Sequence, residues 1–262
     1  MRAPDSRVKP RKAANLGGGT IRCCQSKGGL LLIRVISYNL RKHRASNELN
    51  QLAREFELDA LCLQECDAAE LPTVLGPLRL ADATKGNRLG LAIYYRDERF
   101  SPLESRSFAL QKSIHDRVLA PAHERLLGTR MTDHSTGHEL VIGSFHAAPL
   151  TASNSLRRKQ IHAAHSELMA MGDDLMTLMV GDFNYPFFTD KLHAHVKNSG
   201  YSVTLSDRKT YLRYKVFRGH FDFATSLGLD ISKVETLPQG RSDHLPIMVT
   251  AEYGREPAVL AG

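Results

Sequence analysis

The sequence predicts an α/β protein in which two β-sheets pack against each other with helices on the outside. Three observations carry that expectation. An apolar strand, an amphipathic helix and a second apolar strand follow one another between Leu31 and Glu65. Short strands separated by polar turns then fill Leu78 to Leu140, the pattern of antiparallel meanders. A second succession of strand, long helix and strand runs from Leu140 to Val180, so the two halves look alike in outline and suit two stacked sheets.

With 262 residues, 42% hydrophobic and 24% charged, the chain has the composition of a globular domain with a sizeable core. No stretch approaches the roughly 18 apolar residues of a membrane span, and no apolar segment follows the N-terminal charges, so no secretory signal is expected. Cys23, Cys24, Cys62 and Cys66 match neither a disulfide framework nor a common zinc spacing. A reducing cytoplasm and a monomer are the expectation. The net charge of +7 is uneven: residues 1 to 30 hold seven Lys/Arg against one Asp, and the other 232 are nearly neutral. Any basic binding surface on the folded body is therefore a local patch.

In chain order, residues 1–29 read as a basic disordered tail, either an arm for polyanions or an inert extension. Residues 30–253 read as a single catalytic domain and 254–262 as a C-terminal tail. The run Leu31 to Asn39 is a β-branched apolar strand ending on Asn39. Ser46 or Asn47 then caps a helix with Leu49, Leu52, Ala53 and Phe56 at helical spacing. Leu58 to Glu65 is a second strand ending on Glu65. Strands over Gly90–Tyr95, Ser105–Leu110 and Glu124–Met131 follow, and Leu140 to Phe145 delivers His146 at its end. A helix from about Ser153 to Met171 leads to the strand Leu175–Val180, which empties into Gly181-Asp182-Phe183-Asn184-Tyr185-Pro186. A helix near Thr189 to Ser199, a strand ending near Asp222 and a final strand from Leu245 to Ala251 complete the domain.

Polar residues thus recur where apolar runs end: Asn39, Glu65, His146, Asp182 with Asn184, and Asp222, followed by the pair Asp243-His244 before the last strand. Each alone has an ordinary reading as a turn or a solvated strand end. Six in order point to one site at the rim of a sheet, where open α/β structures place their chemistry.

The ordered set Ser-Tyr-Asn39, Gln-Glu65, Ser-Phe-His146-Ala-Ala-Pro149, Gly-Asp182-Phe-Asn184, Phe-Asp222-Phe and Ser-Asp243-His244-Leu-Pro resembles the endonuclease/exonuclease/phosphatase family, to which deoxyribonuclease I belongs. The resemblance spans residues 31 to 253. It implies a four-layer α/β sandwich, two mixed sheets face to face with helices outside, and hydrolysis of a phosphate ester by water. It also implies a magnesium cofactor, with manganese as the alternative. A hard cation that keeps several waters needs only one or two carboxylates and room for phosphate. Glu65, Asn39 and Asp243 are the expected metal ligands. By the same resemblance Asp182 activates water and His244 contacts the scissile phosphate, with Asp222 orienting its ring. Asn184 donates to a phosphate oxygen, and His146 aids the leaving oxygen as in the deoxyribonuclease I subgroup. Departures are Phe221-Asp222-Phe223-Ala224, where an Asp-Tyr-Ile motif is usual, and Pro149-Leu150-Thr151-Ala152 before the long helix, which argues against an abasic-site role.

Residues 208–218 hold five basic and three aromatic residues and no acid. Basic side chains grip phosphates while aromatics stack on bases; the alternative is a charged edge strand. Tyr211, Arg213 and, on the long helix, Arg158 are the expected substrate contacts. Nucleic acid is the expected substrate. A small phosphorylated compound or a lipid head group is the alternative, and a non-catalytic nucleic-acid-binding module is a third reading.

Overall fold

The structure, a computed structural model, describes residues 32–87, 89–112, 124–185, 189–213 and 219–254. The expected tails, Cys23 and Cys24, Pro186, and Tyr214 to Arg218 of the basic segment lie outside the described residues or at their edge. Seven strands form the first sheet, in the order β12 (Leu229–Thr236), β13 (Ile247–Tyr253), β1 (Leu32–Asn39), β2 (Ala60–Cys66), β5 (Gly90–Arg96), β4 (Leu78–Ala83) and β3 (Val74–Leu75). Six form the second: β10 (Ser202–Leu205), β11 (Asp222–Leu227), β9 (Met176–Asp182), β8 (Glu139–His146), β7 (Leu126–Asp133) and β6 (Phe100–Phe108). Both are mixed, because β1 runs parallel to β2 and β8 parallel to β9 while their other pairings are antiparallel.

Helix α1 (Leu49–Glu55) covers the first sheet, and α2 (Asn154–Met169) with α3 (Thr189–Lys197) covers the second. Leu49 and Ala53 of α1 join Ile36, Tyr38, Leu61 and Leu63 in one apolar layer. Ile161, Ala164 and Leu168 of α2 join Val141, Phe145 and Met179 in another. Between the sheets, Ile33, Val35, Ala60, Cys62, Leu140, Ile142, Leu178, Val180 and Ala224 form the central layer. The four-layer sandwich follows from these three apolar layers, and among the described residues no helix is long and apolar enough to cross a membrane.

Strand periodicity decides what faces what. Side chains alternate between faces, so Asn39 lies on the inter-sheet face with Ile33 and Val35, His146 with Leu140 and Ile142, Asp182 with Leu178 and Val180, and Asp222 with Ala224. One layer below, polar residues occupy the same inter-sheet position. Gln64 Nε2 donates to Ser144 Oγ at 3.0 Å and Ser37 Oγ at 3.2 Å, and Ser144 Oγ donates to the Leu63 carbonyl at 3.0 Å. All three side chains are fully buried, so this network joins the sheets beneath the rim with its polar groups satisfied.

Several expectations about element ends need correction. Asp222 begins β11 instead of ending a strand; β11 runs antiparallel to β9, which brings its start to the same rim as the end of β9. Glu65 does not end β2, which continues to Cys66 across a register shift against β5. The first helix is preceded by a 3₁₀ turn, Ser46–Glu48, and neither Ser46 nor Asn47 caps it with a side chain. The last strand starts at Ile247, two residues after Leu245, and β12 was not foreseen. By contrast Ser153 does cap α2, its hydroxyl accepting from the Leu156 amide at 3.2 Å.

Gly181 sits where the backbones of β8 and β9 come closest. A Cβ at this position would lie 1.9 Å from the Phe145 carbonyl oxygen, in a residue with φ of +154°. Backbone cannot move aside without breaking the parallel pairing that aligns His146 with Asp182. Gly181→Ala is expected to cost more than about 3 kcal/mol in denaturant unfolding, the range of severe overpacking; a loss under about 1 kcal/mol would contradict this account.

Candidate active site

Register turns the shared inter-sheet face into a row of functional groups. His146 pairs with Asp182 across β8 and β9, and Asp182 pairs with Asp222 across β9 and β11. From the opposite sheet Asn39 Nδ2 donates to Asp182 Oδ2 at 3.0 Å, while Asn39 Oδ1 accepts from the Arg41 amide at 2.9 Å. The other Asp182 oxygen accepts from the Asn184 amide at 2.9 Å, a turn that Asn184 closes with φ of 48°. Its own carboxamide donates to the Ala147 carbonyl at 3.4 Å.

His244 reaches this row from the loop before β13. Residues 210–212 lie alongside 243–245: Leu212 N–H donates to the Asp243 carbonyl at 2.9 Å and Leu245 N–H to the Thr210 carbonyl at 2.8 Å. Ser242 Oγ donates to the Asn39 carbonyl at 2.7 Å and accepts from the His244 amide at 3.1 Å, tying the loop to β1. Thr210 Oγ1 accepts from the amides of Phe221 and Asp222 and sets where β11 begins. The ring of His244 rests 4.9 Å from that of Tyr211, which lies 4.7 Å from Phe221. Thus supported, His244 Nδ1 meets Asp222 Oδ2 at 2.8 Å. Its Nε2 lies 3.7 Å from Asp182 Oδ2, and His146 Nε2 lies 3.6 Å from the same oxygen. Both distances exceed direct hydrogen bonding and leave three polar atoms facing one small space.

Burial and charge set the protonation states. Burial pushes the Asp182 carboxyl up to about 7, with Asp222 adding to the rise and His244 and the Asn184 and Asn39 donors opposing it. Burial works against the His244 cation, but Asp222 and Asp182 outweigh it and its pKa is pushed up to about 10. Burial, with the Arg125 and His244 charges, holds His146 well below its ordinary value. At neutral pH the site therefore contains an imidazolium at His244, a neutral imidazole at His146 and an Asp182 close to its midpoint. That set can take a proton from water and present a charged N–H to a phosphate oxygen.

Asp182, Asp222 and His244 offer ligand atoms within 4.8 Å of one another. In its protonated form His244 has no lone pair to give a metal. The donors suited to a hard cation are oxygens nearby: Glu65, whose side chain is 26% exposed and whose Oε1 is 4.0 Å from His146 Nε2, and Asn39. Glu65 takes φ of 53°, and past it the alternation slips by one residue, so Cys66 returns to the α1 side with Leu61 and Leu63. This is the bulge device for re-aiming a side chain. Its Oε2 accepts from the Lys42 amide at 2.8 Å.

Other expected site residues sit differently. Asp243 contacts Arg41 Nε at 3.4 Å and Arg213 Nη1 at 4.0 Å. Tyr211 is 8% exposed and packs against the ring of His244. Arg213 is half exposed beside Asp243 at the rim. Arg158 donates to the Tyr185 hydroxyl at 2.8 Å, next to Asn184 in the chain. Sequence reasoning missed Arg41, Lys42, His43, Thr210 and Ser242. Only Ser242 carried a signal, a hydroxyl two residues before a candidate histidine.

Comparison with known proteins agrees with this architecture. The sequence profile described as Endonuclease/Exonuclease/phosphatase family matches residues 14–244. No curated protein matches the chain by sequence. Among solved structures, an endonuclease/exonuclease/phosphatase family protein from Bacteroides thetaiotaomicron is similar at 17% identity and a TM-score of 0.67, over 87% of this chain and all of that one. The mannosyl-6-phosphatase Bt3783 of the same organism gives 17% and 0.66 over 84% and 100%. TDP2 of D. rerio, complexed with a single-strand DNA product, gives 17% and 0.67 over 85% and 99%.

The His244 proton has a measurable signature. In the metal-free protein ¹⁵N NMR is expected to show His244 protonated until pH approaches about 10, and Asp222→Asn should move that titration down toward the ordinary 6.5. Because the folded pKa lies above the unfolded one, the stabilising contribution is complete below about pH 6.5 and is lost as pH rises through about 10. Unfolding free energy should decline over that window in the wild type and decline less in Asp222→Asn. A His244 titrating near 6.5 in the wild type would refute the assignment.

Proposed function

Because the chain belongs to the endonuclease/exonuclease/phosphatase family and is therefore a phosphoesterase, we propose that it is a magnesium-dependent phosphodiester hydrolase acting on nucleic acid. The observation that carries this reading is the His244 cation clamped by Asp222 beside an Asp182 carboxyl whose pKa is about 7. Asp182 Oδ2 takes the proton of the attacking water. His244 Nε2–H lies on the other side of the same space and donates to the phosphate. Asp222 keeps the imidazolium in place and Tyr211 keeps its plane. Asn184, turned by its left-handed backbone, presents an uncharged amide to the phosphate. His146, neutral, stands by the leaving oxygen. Glu65 and Asn39 would hold magnesium, and the chemistry it supplies when bound is neutralisation of the charge that builds on the phosphate.

Support for nucleic acid is the half-exposed Arg213 at the rim and the likeness to TDP2 with its DNA product. A second reading, a phosphatase of small phosphoesters, is favoured by the burial of Tyr211, which leaves that ring no base to stack on, and by the likeness to a mannosyl-6-phosphatase. Cys62 and Cys66, buried free thiols, suit the proposed cytoplasmic location, and a monomer is the proposed state.

Asp182→Asn and His244→Gln should each lower kcat by about 10²- to 10⁴-fold with the fold intact by circular dichroism, as for loss of a general acid or base. EDTA should abolish turnover. Nicking of supercoiled plasmid or cleavage of RNA without phosphate release from sugar monophosphates would favour the first reading, and the reverse would favour the second. Full activity in either variant or in EDTA would overturn the mechanism.

A further inference from the structure

Four non-glycine residues around the Glu65 carboxylate have left-handed backbone: Arg41 (φ 50°), Lys42 (φ 55°), His43 (φ 64°) and Glu65 itself (φ 53°). Each such residue costs about 1 kcal/mol or more relative to the right-handed form, and of the four only His43 is of a type enriched there. A run of three therefore persists only where other contacts pin it.

The pins are visible. Lys42 N–H donates to Glu65 Oε2 at 2.8 Å, and His43 N–H donates to the Glu65 carbonyl at 2.8 Å. The His43 ring then reaches past Glu65 to the turn after β2: Nδ1 accepts from the Asp67 amide at 2.9 Å and Nε2 faces Glu70 Oε2 at 3.1 Å. Since Nδ1 accepts, Nε2 carries the proton and donates to Glu70. The loop after β1 is thereby stitched to Glu65 by backbone and to Asp67, just past it, by the ring.

We infer that His43 is a positioning residue: its ring, locked on the Asp67 amide, holds the 41–43 loop so that the Lys42 amide fixes the Glu65 carboxylate for a divalent cation. This rests on the metal-binding role proposed for Glu65. His43 does not itself touch metal or substrate. Without its ring the strained loop has an open route to relax. The Lys42 amide then leaves Glu65 Oε2, and cation binding must immobilise a carboxylate that is no longer oriented.

Two substitutions separate the ring bond from the fold. Glycine adopts left-handed backbone without strain, so His43→Gly removes the acceptor without adding strain at position 43. In His43→Asn the Oδ1 atom stands as many bonds from the backbone as His Nδ1 does, and Asn tolerates this conformation, so the Asp67 bond survives while the Glu70 contact is lost. Mn²⁺ binding is read by electron paramagnetic resonance and calorimetry, with Glu65→Gln marking the site and thermal melting checking the fold. The expected result is a Kd at least about tenfold weaker in His43→Gly, the usual size of an outer-layer effect on a metal, and within about threefold of wild type in His43→Asn. His43→Gly binding as tightly as wild type overturns the inference while leaving the role of Glu65 standing, and so does His43→Asn weakening as much as His43→Gly. Absence of saturable Mn²⁺ binding in the wild type overturns both.

Discussion

A strand turns alternate side chains to opposite faces, and the candidate site depends on that constraint more than on any single bond. Ile33 and Val35 commit the odd positions of β1 to the space between the sheets, so Asn39 must follow them there. The same parity carries His146, Asp182 and Asp222 inward at one rim. Slipping any of these strands by one residue would turn these polar groups into the apolar layer under the helices. The Gln64, Ser37 and Ser144 network adds a polar layer just beneath, which disfavours other registers because each would leave these groups unpaired.

Into that frame the chain places two carboxylates around one imidazole in a space nearly closed to water. Asp222 spends one oxygen on His244 Nδ1, and its other oxygen is buried without a hydrogen-bond partner among the described residues. Its charge is therefore answered chiefly by His244, which explains why the imidazole holds its proton so firmly. Asp182 has the opposite character: its oxygens accept from Asn184 and Asn39, yet burial and the neighbouring Asp222 lift its pKa toward neutrality. Two chemically identical groups thus meet different surroundings, Asp222 against the imidazole and Asp182 among amide donors.

What was legible in the sequence follows the same physics. The apolar runs reveal strand and face, and hence Asn39, His146 and Asp182, because period-two burial leaves a mark in composition. Asp222 and the Asp243-His244 pair were found from short motifs, but strand direction was not, since pairing partners far apart in the chain leave no local trace. Glu65 was found although its geometry was hidden: a bulge depends on the register with β5. Arg41 to His43 were invisible, because their conformation is imposed by contacts with residues 65 to 70 against their own preference. Tyr211 stood out as an aromatic among basic residues, a composition that leaves no trace of its packing against His244.

The position of β13 has a bearing on synthesis. It lies between β12 and β1, inside the first sheet, and the Ser242-Asp243-His244 loop leads into it. As the ribosome extends the chain, β1, β2, β8 and β9 are complete long before this strand exists, and β1 waits with one edge open for a partner about 210 positions downstream, a separation of the kind that slows folding. Asn39, Glu65, His146 and Asp182 can gather early, but the imidazolium joins them only when the last strand zips into the gap. The place of His244 in the site therefore waits on the pairing of β13 with both β1 and β12.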